Sequence, residues 1–225
     1  MKISNYILLG LFTASLLFNC DKPKTEDKTT DPVTKDTVSV AITEIEVPIQ
    51  NLTTEQQIAA AVLSAPEETR AAAKVYGYDK DGKFITLREG TNEMICIADN
   101  QNKDGFKAVS YHKDLEPFMA NGRALKAEGK SGQVLKEERE ANVKNGKVKM
   151  PEKSATLHIL QGEKGWFDIE NDKVVNANYR YVVYIPFATQ ETTGLSLKPN
   201  NPGHPWLMFP GTAGAHIMIT PPAEN

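Results

Sequence analysis

The pattern of apolar and polar positions divides the chain into three stretches. An apolar run of about 13 residues, Tyr6 to Phe18, lies near the N-terminus. Residues 21–37 follow with a single sizeable apolar residue, Val33. From residue 38 onward the pattern takes on the periods of strand and helix. Val38, Val40 and Ile42, then Ile45, Val47 and Ile49, repeat every second residue with one shift of phase, which predicts extended chain. Thr53 with Gln56 is the reciprocal capping pattern and predicts a helix to about Leu63. Pro66 suits the first position of a second helical turn reaching about Lys74.

Strands follow. Val75–Tyr78 and Phe84–Arg88 flank the turn Asp79-Lys80-Asp81-Gly82, a hairpin signal. Glu93–Ala98 and Phe106–His112 extend this into an expected antiparallel meander. Asp114 opens a helix to about Glu128, whose Leu115, Phe118, Met119, Gly122 and Leu125 form one apolar face for a core. Ser131 opens another helix to about Asn145, with Lys136 to Glu140 expected on a solvated face and Gly146 ending it. Strands resume at Ala155–Leu160, Tyr179–Ile185 and Ala215–Thr220. Strands, then helices, then strands predict an α+β fold, an antiparallel sheet with two to four helices packed on it, as a single domain over residues 38–225.

The 225 residues carry a formal net charge of −3 and no large block of one sign. No basic patch interleaves with aromatic residues, so nucleic acid is not an expected partner. The run at residues 6–18 follows Lys2 and would reach only about 20 Å as a helix, too short for a span that needs about 20 residues. It reads as a secretory signal. Leu16, Leu17 and Cys20 resemble the lipobox of bacterial lipoproteins; Phe18 and Asn19 depart from its usual small residues, as looser versions in lineages such as spirochaetes do. The resemblance implies a signal peptide over 1–19, a mature chain beginning at a lipidated Cys20, and attachment to a membrane of the cell envelope with the domain outside the cytoplasm. Asp21 resembles the inner-membrane retention signal of enteric lipoproteins, and outer and inner membrane both remain open. The cysteine sulfur accepts a diacylglycerol as a thioether, and two or three acyl chains hold stably where one is marginal. Residues 20–37 then form a lipidated tether, too polar to offset its ordering entropy, spanning about 20–25 Å as coil. The remaining domain resembles only uncharacterised bacterial secreted proteins, which implies no activity.

Candidate chemistry is sparse. Asn100, Asn102, Asp104 and Gly105 mimic the start of a calcium loop, but the twelfth position is Tyr111 rather than a bidentate glutamate, so a hairpin turn is expected. No elbow for a nucleophilic serine, no glycine-rich phosphate loop and no His-x-x-x-His spacing occurs, and neither a cofactor nor a metal is expected. Cys96 lies in an apolar strand and reads as an inert buried thiol. Pairing Ala98 with Phe106 would set Cys96 opposite Ala108, well away from His112. Residues 186–214 show little strand or helix pattern yet are apolar, and long stretches of this kind are often functional. There Trp206 and Phe209 could line a groove with His204 as its polar contact. His112, His158 and His216 sit on or beside strands and complete the set of candidate ligand-binding residues. The leading expectation is a lipid-anchored envelope protein whose domain binds or builds rather than catalyses. The alternatives are a secreted enzyme with a cleft around these histidines and the 186–214 loop, and a surface adhesin displaying a contiguous aromatic patch.

Overall fold

Most of the longer elements follow from local signals. The computed structural model describes residues 47–222. The extended run expected before residue 47 lies outside the described residues, and 47–53 form no regular element. Helix α1 (Thr54–Val62) begins at the expected capping box: the Gln56 N–H donates to Thr53 Oγ1 at 3.3 Å, and the Thr53 N–H donates to Gln56 Oε1 at 2.9 Å. α2 (Glu67–Arg70) starts one residue later than expected, because Pro66 holds extended geometry as its N-cap. Strands β1 (Lys74–Tyr78), β2 (Phe84–Arg88), β3 (Met94–Ile97) and β4 (Phe106–His112) come next. A 3₁₀ turn (Lys113–Leu115) leads into α3 (Glu116–Ala127), followed by α4 (Gly132–Lys144). β5 (Ala155–Gly162), β6 (Trp166–Asp168), β7 (Lys173–Val175) and β8 (Asn178–Tyr184) precede α5 (Gln190–Thr193), β9 (Trp206–Met208) and β10 (His216–Ile219).

The fold is α+β, with a larger sheet than expected. Eight strands run in the order β2-β1-β3-β4-β5-β8-β10-β9, and β6 with β7 forms a separate hairpin. The described residues fall within one compact unit. The first four strands are not an antiparallel meander, because β1 and β3 pair in parallel. The reason lies in the return from β2. The N–H groups of Thr91 and Asn92 both donate to the Ala72 carbonyl, so the chain re-emerges beside the start of β1 and runs with it. Gly90 permits the crossing: a Cβ there would sit 2.2 Å from the Lys74 nitrogen.

Alternation sends successive side chains to opposite faces. One face carries Val75, Met94, Cys96, Ala98, Ala108 and Leu160 beneath α1, whose Ala60 and Ala61 are buried against them. The other carries Ile95, Tyr111, Leu157 and Val182 against Leu115 and Met119. Phe118, Gly122 and Leu125 are buried on α3, so its apolar stripe packs as expected. Cys96 pairs with Ser110 rather than Ala108, two residues from the expected register, because the β3–β4 loop holds more chain: Asp99 leaves the ladder and its carboxylate accepts the Lys107 N–H at 2.9 Å. Burial pushes the Cys96 thiol up to about 12. The loop at 100–105 is a turn in this connection.

Candidate functional site

The four histidines do not converge. His112 ends β4, and its Nδ1 accepts the Asp114 N–H at 3.3 Å, capping the 3₁₀ turn. His158 on β5 pairs with Tyr181, and its ring meets the Tyr181 ring edge to face at 5.5 Å. Ala155, Tyr184 and His216 form one lateral row of the sheet. His158, three positions from Ala155, therefore faces the opposite side from His216. His204 is exposed in the turn before β9. The histidine cleft expected for an enzyme is thus not assembled.

The expected groove of His204, Trp206 and Phe209 is divided in two. The segment 186–214 is more structured than its sequence implies, since it contains α5 and the edge strand β9. His204 and Trp206 line a shallow hollow of about 930 Å³ with Arg180, Met208 and Met218. Phe209 leaves β9 with φ 52° and carries its ring to His216 instead, 5.6 Å between centroids.

That turn closes a different cleft, of about 300 Å³, between α4, the Tyr184–His216 row and residues 209–214. Four rings build it. Phe118 meets Tyr184 edge to face at 6.0 Å, Tyr184 meets His216 at 5.1 Å, and His216 meets Phe209. His216 is 6 % exposed, and burial holds its imidazole below the usual histidine range. Its Nδ1 lies 2.8 Å from the Gly214 carbonyl, an acceptor, so Nδ1 carries the proton and Nε2 is left as an acceptor. Burial likewise raises the Tyr184 phenol.

Phe209 and Phe187 both adopt left-handed backbone, φ 52° and 62°, and both rings are exposed. For a bulky residue this costs about 1–3 kcal/mol and persists only where surrounding bonds impose it. Here the Phe187 N–H donates to the Thr212 carbonyl, the Gly211 N–H to the Ala188 carbonyl, and Thr212 Oγ1 to the Phe209 carbonyl, each at 2.8 Å. The two loops are thereby locked with Phe209 at the rim of the cleft.

Helix α4 supplies the polar groups. The run Lys136–Glu140 is not simply a solvated face. Gln133, Lys136, Glu137 and Glu140 follow helical spacing toward the cleft, joined by Arg139. Lys136 Nζ lies 4.9 Å from the Phe209 ring centroid. Glu140 Oε2 accepts the Ala213 N–H at 2.8 Å, tying α4 to the turn. The Arg139 guanidinium lies 3.6 Å from the centroid of Phe118, and its Nη2 donates to the Phe118 carbonyl at 3.1 Å. Burial pulls its pKa down. Arg139 and Tyr184 were absent from the sequence-derived candidates. The available clue was Gly122 within the apolar stripe of α3: a Cβ there would sit 3.0 Å from Arg139 Nε, so the glycine makes room for the guanidinium.

Among the described residues no group of three histidine, cysteine, aspartate or glutamate side chains is placed to hold a metal ion. No helix among them is long and apolar enough to cross a membrane. No protein-family model, curated protein or solved structure matches the chain.

Proposed function

We propose that this protein is a lipid-anchored binding module of the cell envelope, holding a small, flat, largely apolar ligand in the cleft of Phe118, Tyr184, Phe209 and His216. The observation that carries the reading is the strained Phe209, fixed by its neighbouring loops at the rim of a four-ring cleft. Stored strain marks functional positions, and an apolar pocket with a few convergent polar groups is the usual form of a small-molecule site. The His216 imidazole is bonded to a backbone carbonyl rather than to an acid or a nucleophile, which favours binding over catalysis. Ligand-observed saturation-transfer NMR with indole tests the cleft. Transfer is expected on the wild-type chain and a clear loss in Phe209→Ala; no transfer on the wild type sinks the reading.

The anchor half of the proposal rests on Cys20, outside the described residues. Metabolic labelling with a palmitate analogue is expected to mark the wild type and not Cys20→Ala. An adhesin is the second reading. Tyr179 and Tyr181 lie parallel within 7° at 5.8 Å beside an open trough of about 730 Å³, and Tyr181 is 36 % exposed. Loss of cell adhesion in Tyr181→Ala, with indole transfer intact, would favour it.

A further inference from the structure

We infer that the ligand of the four-ring cleft carries a single carboxylate, received by Arg139; the inference rests on the binding role proposed for that cleft. It starts from charge accounting. A guanidinium removed from water costs several kcal/mol unless an anion and hydrogen bonds replace the lost solvation. Arg139 is largely withdrawn from solvent, and among the described residues its desolvation is compensated only in part. Its interactions are the Phe118 ring and the Phe118 carbonyl. Its Nε is buried without a hydrogen-bond partner. No ion pair joins it to an acid among the described residues.

Neither acid that shares the cleft pairs with Arg139. Glu140 Oε2 accepts from Ala213, and Glu140 Oε1 lies 3.2 Å from Lys144 Nζ, an ion-pair distance without hydrogen-bond geometry. Glu137 Oε1 accepts from Gln133 Nε2 at 3.0 Å. Lys136 sits over Phe209 at the rim and adds a second positive charge there. The cleft therefore presents two cations without an acid partner among the described residues, the largely buried Arg139 against Phe118 and the exposed Lys136 at the rim.

The walls define the rest of the ligand. A volume of about 300 Å³ lies at the small end of ligand pockets and suits one ring with a short substituent. The four rings offer edges and faces for stacking on an aromatic body. Glu137 and Glu140 at the same cleft disfavour a second negative charge. The chemical class is thus a monocyclic arylcarboxylate or a compact apolar acid of equal size, bound as the monoanion.

Three probes of one shape separate the possibilities on the full chain: benzoate, benzamide and benzylamine, titrated by saturation-transfer NMR at pH 7.5. Benzoate is expected to bind at least about tenfold tighter than benzamide, the margin of a charge-assisted hydrogen bond, and benzylamine weakest. Arg139→Met should erase the preference for benzoate while benzamide still binds, and Arg139→Lys should keep part of it. Equal affinity for benzoate and benzamide overturns the carboxylate inference and leaves the cleft as a neutral site. Binding of none of the three while indole still transfers overturns the carboxylate inference alone, and binding of none with indole transfer also absent overturns the binding role itself. The wild-type ratio of benzoate to benzamide decides the matter even if Arg139→Met does not fold.

Discussion

Arg123 on α3 and Arg139 on α4 sit on neighbouring helices, both against aromatic rings and both drawn out of water, yet their surroundings differ. Arg123 lies over Tyr76 and Phe84, with 5.3 and 5.2 Å to the ring centroids. Its Nη2 meets Glu116 Oε1 at 2.6 Å and its Nη1 donates to the Tyr111 hydroxyl at 3.0 Å, while Tyr111 itself donates to Glu116 Oε2 at 2.6 Å. Burial pulls the Arg123 pKa down, but Tyr111 and Glu116 outweigh it and the net direction is up. Around Arg139 burial prevails and the direction is down. A satisfied network of this kind holds α3 on the sheet and leaves nothing for a ligand to supply. An unsatisfied one is a standing cost, tolerated where something else completes it. The difference separates the part of this face whose cation is paired within the described residues from the part whose cation is not.

The sharpest break of that contrast is Glu116→Gln. It strips Arg123 and the fully buried Tyr111 of their acceptor charge and is expected to cost about 2–4 kcal/mol in urea unfolding. A loss below about 0.5 kcal/mol would mean that the network is not what fixes α3. Arg139→Met is the counterpart: removing an uncompensated charge should leave stability unchanged or raise it by about 1 kcal/mol. A loss like that of Glu116→Gln would show Arg139 to be structural.

Phe209→Gly separates strain from packing at the rim. Glycine accepts φ 52° without penalty, so stability should rise or hold within about 1 kcal/mol while indole transfer falls. The pH dependence probes the same face. The folded pKa of His216 is lowered, so between that value and the ordinary histidine value the unfolded chain binds the extra proton. The contribution of His216 to stability is expected to fall as pH drops below about 6.5; His158, lowered by burial on the opposite face, adds to that slope, and Asp99, raised by burial to about 6, opposes it. His216→Gln should flatten the curve in part; an unaltered slope would place the titration elsewhere. The smallest effect is expected of Gly122→Ala. Its Cβ would press on Arg139 Nε at 3.0 Å, while alanine favours the helix by about 1 kcal/mol, so stability should barely change and benzoate affinity should weaken.

Local chemistry wrote much of this fold into the chain. The capping box at Thr53 and Gln56, the strands Phe84–Arg88 and Phe106–His112, and the apolar stripe of α3 all stand where periodicity and turn residues place them. Each depends on neighbours within a few positions, and so each is readable from a short window. The hairpin of β6 and β7 and the edge strand β9 escaped because three residues are too few to display a period. Phe167 shows what stabilises such a piece instead: it is 2 % exposed, and its backbone is held at both N–H and carbonyl by the side chain of Gln50, far away in the chain.

Cys20 with its apolar run, the polar stretch after it and the α+β succession of elements are properties of the sequence by itself, because each is a matter of composition or short-range period. The parallel pairing of β1 with β3, the register that sets Cys96 against Ser110, and the separation of His158 from His216 were decided by tertiary structure. So was the cleft. In the sequence, Arg139 is one charge in a run of charges on a helix. Only the packing of α4 against Phe118, and of the 209–214 turn against Glu140, withdraws that charge from water and surrounds it with rings. Desolvation depends on everything packed around a group, wherever it stands in the chain, and that is why the candidate site lay outside the reach of sequence pattern.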